Sequence, residues 1–106
     1  MNRVAITGIG AISPIGNDAN SIFDSLVGGR CGIGIIEGLD TEGLGTSIAA
    51  QVKGFEPGDY FERRDARRMD RFSQFAMAAS IIAEKDAGLL EGTYEPTRCG
   101  ADIGRG

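Results

Sequence analysis

At 106 residues the chain is long enough for one domain with a modest core, and its 42% hydrophobic and 25% charged residues exclude a disordered or fibrous class. A formal charge of -4 and a pI of about 4.7 exclude an all-round basic surface of the kind that grips nucleic acid. Glycine is the outlier, with 17 residues and no period; that is about a sixth of the chain against ~7% in ordinary proteins, which implies many tight turns and excludes collagen.

In chain order, Val4 to Thr7 form an apolar, partly β-branched run stopped by Gly8, the pattern of a short buried strand. Residues 6–17, ITGIGAISPIGN, then turn the chain. Asn17 or Asp18 can cap a helix in which Ile22, Phe23, Leu26 and Val27 recur at helical spacing, and Gly28 and Gly29 end it. From Arg30 to Pro57 the pattern weakens. CGIGIIEGLDTEGLGTS reads as loop, whereas SIAAQVKGF alternates enough for one strand, punctuated by Gly54, Pro57 and Gly58.

A long second helix is predicted over about 65–87, with Met69, Phe72, Ala76, Ala79 and Ala83 at three- and four-residue steps and Gly88 as its stop. Its small residues, Ala76, Ala78, Ala79, Ser80 and Ala83, would admit another stretch of backbone at close range. After a loop containing Pro96, Cys99 to Ile103 read as a second buried strand, followed by Gly104-Arg105-Gly106. Strand, helix, loop or strand, long helix and strand make an α/β layer. A last strand with no helix after it to cover its other face reads as an incomplete one.

Three features are candidates for chemistry. Gly8-Ile9-Gly10 after a strand begins a dinucleotide fingerprint, but the third glycine falls at Ser13, followed by Pro14, and no Gly-Lys-Ser/Thr of a P-loop follows. A structural turn is therefore the reading, with a Rossmann nucleotide binder as a third and weaker hypothesis. The cysteines, Cys31 and Cys99, lie far apart in a chain without histidine, so neither zinc nor a base-activated thiolate is expected and a reduced cytosolic pair is the default. Their spacing leaves a disulfide open. Cys99 reads as a small buried residue of the last strand, and Cys31 as loop filler beside Arg30.

The third feature is ERRDARRMDR, residues 62–71, which holds five arginines and three acids. Its local charge of +2 leaves -6 on the remaining 96 residues. Arg64, Arg67, Arg68 and Arg71 stand at i, i+3, i+4 and i+7 of the predicted helix, a stripe that is either a solvated face with local ion pairs or a dock for a phosphate or an acidic protein. No complete catalytic constellation exists in the chain. With one arginine, no small-residue cleavage site at the N-terminus and no run approaching ~18 apolar residues, a cytoplasmic location and no membrane association are expected.

VAITGIGAISPIGN, LVGGRCGIGII, AAQVKGFEPGDYF, RRDARRMDRFSQFAMAAS and RCGADIGRG, in that order and at those intervals, resemble the N-terminal portion of the β-ketoacyl-acyl carrier protein synthases, the elongating synthase II type in particular. The resemblance runs from Arg3 to Gly106. It implies a thiolase-like fold, with residues 1–106 as the N-terminal part of the synthase N-terminal domain. It also implies a decarboxylative Claisen condensation in fatty-acid or polyketide elongation, in which a cysteine holds the acyl chain as a thioester, two histidines assist and malonyl-acyl carrier protein supplies two carbons. The family uses no metal or organic cofactor and is homodimeric and cytosolic. Arg64, Arg67 and Arg68 match its basic docking positions for acyl carrier protein.

The departures are as informative. The family nucleophile lies in a Thr-Ala-Cys-x-Ser type motif that neither Cys31 nor Cys99 matches, both histidines are missing, and Arg105 stands where a small residue is usual. The resemblance thus implies the first part of a condensing enzyme, inactive as given. The alternative is a free-standing, non-catalytic module that holds acyl carrier protein or another acidic partner through its arginines.

Overall fold

A computed structural model of the chain describes residues 2–89 and 92–104. The chain divides into two compact units, one of Ala11–Glu56 and one of Met1–Gly10 with Pro57–Gly106.

In the unit of residues 11–56, Ser13-Pro14-Ile15-Gly16 closes a tight turn, the Ser13 amide donating to the Gly16 carbonyl at 2.8 Å and the Gly16 amide donating back at 3.3 Å. Helix α1, Ala19–Val27, follows at once. Asp18 is its N-cap, and its carboxylate accepts from the Ser21 amide at 2.7 Å. Gly28 and Gly29 end the helix where the glycine pair predicts, Gly29 at φ +68°. The face is not the expected one. Phe23, Leu26 and Val27 are exposed, whereas the buried residue is Ser25, whose hydroxyl donates to the Ile15 carbonyl at 2.7 Å.

Strands β1, Ile33–Ile35, and β2, Ile48–Ala50, pair antiparallel with Ile35 opposite Ile48 and Ile33 opposite Ala50. Strand β2 lies within SIAAQVKGF as expected. Strand β1 corrects the loop reading of residues 31–47: Ile33 and Ile35 alternate with Gly34, too short a pattern to register among so many glycines.

In the other unit a 3-10 turn over Pro57–Asp59 leads to helix α2, Arg63–Ala66, and then helix α3, Arg71–Ala87. The single helix predicted over 65–87 is thus two. Winding persists through the turn, with the Arg67 amide donating to Arg63 at 3.2 Å and the Arg68 amide to Asp65 at 3.0 Å, and breaks at Asp70, which is extended at ψ 157° as the N-cap of α3. Gly88 ends α3 in the left-handed conformation at φ +69°. The buried row of α3 centres on Gln74 and Ala78, and Phe72 is half exposed. A second 3-10 turn spans Pro96–Arg98.

Neither long-range strand of the expected layer forms. Residues 4–7 and 99–103 have no ladder partner among the described residues, and Val4, Ile6 and Ile103 are 95%, 85% and 61% exposed. A strand is defined by its neighbour, and apolar patterning alone supplies none. Cys99 is correspondingly exposed, not buried.

Candidate functional site

Three places could carry function: the glycine corner, the cleft beside the second half of α3, and the arginines between α2 and α3.

At the glycine corner, Gly8 and Gly10 lie directly on α3. A Cβ at Gly8 would meet the Ala83 carbonyl, stand 2.6 Å from the Ala87 amide nitrogen and 2.8 Å from the Ala87 Cβ. At Gly10 it would meet the Ala79 carbonyl and stand 2.7 Å from the Ala83 amide nitrogen. The small residues of α3 thus admit a strap of backbone, and the strap is fixed by the Ile9 amide donating to the Asp86 carboxylate at 2.9 Å. Both glycines are spent on packing and the Ile9 amide on Asp86, so the corner is not a free phosphate cradle. The position of the missing third glycine is occupied by the Ser13–Gly16 turn. Nothing in the sequence singled out Asp86 from the other acids of the helix end.

The cleft has a volume of about 640 Å³ and is lined by Thr7, Ser80, Glu84, Leu89, Tyr94 and Cys99, among others. The Cys99 thiol donates to the Glu95 carbonyl at 3.4 Å, and the chain offers no imidazole to activate it. Cys31 and Cys99 are both free thiols.

The arginines form the strongest concentration of one charge. Arg64 lies in α2, Arg67 is its C-cap at helical φ and ψ, and Arg68 continues the same winding. All three are exposed and none takes part in an ion pair among the described residues. Arg71 belongs to α3, beyond the break at Asp70, and its guanidinium lies 5.0 Å from the centroid of the Phe75 ring. The stripe of four is therefore a cluster of three, with the fourth engaged on its own helix. The structure brings together Arg64, Arg67 and Arg68 and sets Arg71 apart. What the sequence reading missed is Gln74, buried in α3 with its side-chain amide donating to the Ala66 carbonyl at 3.0 Å. A lone polar residue four positions before Ala78 in the helix's buried row was the available signal.

Chemically, exposed guanidinium groups on one turn, without an ion pair among the described residues, are suited to binding anions. Each presents five donors in a planar fork, and Glu62, Asp65 and Asp70 in the same stretch can offset only part of their mutual repulsion.

The family model of the β-ketoacyl synthase N-terminal domain matches residues 1–106. The chain is 42% identical over 104 residues to the 3-oxoacyl-[acyl-carrier-protein] synthase 2 of Vibrio cholerae serotype O1 and, over the same length, 42% identical to that of Staphylococcus aureus (strain COL). Each alignment covers 98% of this chain and 25% of the relative, so the chain spans a quarter of the length of the curated proteins it matches. Among solved structures, the ishigamide ketosynthase/chain length factor is similar with a TM-score of 0.74 and 41% identity, over 81% of this chain and 21% of that one. With a family model matched from the first residue to the last and relatives of this identity, the chain belongs to the β-ketoacyl synthase family, within its N-terminal domain.

Proposed function

We propose that this chain is the carrier-docking part of a β-ketoacyl-acyl carrier protein synthase, and that Arg64, Arg67 and Arg68 are the residues that receive the carrier. The observation that carries the reading is the cluster of three exposed arginines on the α2 turn, without an ion pair among the described residues, in a family member whose remaining residues sum to a negative charge. An acidic carrier is steered to such a patch because the rest of the surface repels it.

The reaction assigned to the whole synthase is the decarboxylative Claisen condensation of an acyl thioester with malonyl-acyl carrier protein, in fatty-acid or polyketide elongation. Within it, these residues dock and orient the carrier. The acyl-holding cysteine and the two histidines of that chemistry have no counterpart in these 106 residues, which contain no histidine. The expected setting is a thiolase-like fold, homodimeric and cytoplasmic, without metal or organic cofactor. No helix among the described residues is long and apolar enough to cross a membrane.

Titration of the chain with acyl carrier protein tests this. Binding that weakens with salt, and that falls on the order of tenfold or more when Arg64, Arg67 and Arg68 are replaced by glutamate, is the expected result. A charge-reversed variant that binds as well as the original overturns the reading. A second reading, a free-standing binding module, rests on the same three arginines and on the absence of histidine. The mass of the native product separates the two, because a several-fold heavier product is the synthase and one near 11 kDa is a remnant or the module.

A further inference from the structure

The corner between α2 and α3 contains a buried polar side chain to which docking itself gives no role. Gln74, in the first turns of α3, is 8% exposed, and its Nε2 donates to the Ala66 carbonyl at 3.0 Å. Ala66 is the last residue of α2, a helix of four residues. So short a helix does not hold by itself, since isolated helices below ~12 residues are marginal, and its terminal carbonyls lack partners within the helix. The Met69 amide reaches the same oxygen at 3.3 Å, so Ala66 receives one bond from the turn and one from α3. The residues joining these two anchors are 67–70, and they include two of the three arginines.

We propose that Gln74 is a positioning residue for the carrier-docking surface. By holding the end of α2 to α3 it fixes the 67–70 turn before any partner arrives, so that Arg67 and Arg68 bind without the entropic cost of first ordering the backbone that carries them. The inference rests on the docking reading above. Gln74 touches no carrier and adds no charge, so its effect on binding is transmitted through the turn alone.

The test uses the whole chain and acyl carrier protein as the probe. Gln74→Met keeps the length and volume of the side chain and removes the donor; affinity is measured by titration at several salt concentrations, and amide exchange is followed residue by residue. Expected is a loss of affinity of about three- to tenfold, the scale of one buried hydrogen bond, with the salt dependence unchanged because no charge has moved. Faster exchange confined to the amides of 67–70, with α3 beyond Ala78 still protected, accompanies it and separates positioning from general loss of structure. Should Gln74→Met fail to fold, Gln74→Asn, one methylene too short to reach Ala66, takes its place with the same expectation. A Gln74 variant that binds as tightly as the original, beside an Arg64, Arg67, Arg68 reversal that does not bind, overturns the role of Gln74 and leaves docking intact. A reversal variant that binds normally overturns docking and this inference together.

Discussion

At the scale of single residues, the chain is governed by what a side chain would collide with or lose. Gly8 and Gly10 are required because α3 backbone occupies the space of their Cβ atoms. Gly10→Ala is expected to destabilise the protein at the upper end of the ~1–3 kcal/mol typical of overpacking, because the obstruction is a helix carbonyl that cannot rotate away. Gly34→Ala, with nothing within 4 Å and no positive φ, is the neutral control, and chemical denaturation of both reads the difference. Asp18 yields a prediction in pH. The Ser21 amide donating to its carboxylate holds its pKa below the ordinary value, helped by the Ser21 side chain, opposed by desolvation and helped last by the Asn20 amide. A depressed folded pKa means that the unfolded chain takes up the proton first. The stabilisation is present above the ordinary carboxylate range and is lost as pH falls through the folded value. Asp18→Asn keeps the accepting oxygen, so α1 persists while this part of the acid dependence disappears, as circular dichroism across the acid range would show.

At the scale of elements, local signals set the helix ends and tertiary packing sets everything that needs a partner. Gly88 closes α3 at φ +69°, a conformation that costs an L-residue roughly 1–2 kcal/mol. Gly88→Ala is expected to lower stability by about that amount, with fraying of the last turn visible in amide exchange. The start of the same helix divides the arginine stripe, since Asp70 ends the winding between Arg68 and Arg71. Periodicity across 64–71 is compatible with one helix, and nothing in a 3.6-residue repeat reveals that Asp70 leaves it to cap a new one. The division separates the arginines, since the Arg71 guanidinium lies against the Phe75 ring on α3 while Arg64, Arg67 and Arg68 follow the winding of α2.

At the scale of the molecule, the buried residues among those described are few: Phe55 and Ala78 are the apolar ones, Ser25 and Gln74 the polar ones. Against that stand Val4, Ile6, Phe23, Val27, Ile35 and Ile103, each at least 61% exposed. Exposed apolar area of this kind drives association. The isolated chain is expected to self-associate as its concentration rises, measured by sedimentation, and a monomer that unfolds cooperatively across that range would contradict it. Supplied with acyl and malonyl carrier thioesters it is expected to form no condensation product, measured by mass spectrometry of the carriers, because Cys31 and Cys99 have no imidazole partner in the chain.

What the sequence by itself determined is local. Asp18, Gly29 and Gly88 mark helix ends because capping and left-handed backbone depend on a few adjacent atoms, and Ser13-Pro14 speaks against a dinucleotide loop for the same reason. The order of its motifs also pointed to the synthase family, which the family model and the relatives establish. Only the tertiary structure decided that the alanines of α3 receive Gly8 and Gly10, that Asp86 holds the Ile9 amide 77 residues away in sequence, and that Gln74 ties α2 to α3. It also decided that residues 4–7 and 99–103, apolar as they are, form no ladder among the described residues. Each of those outcomes depends on which segments meet in space, and one-dimensional spacing carries no record of that.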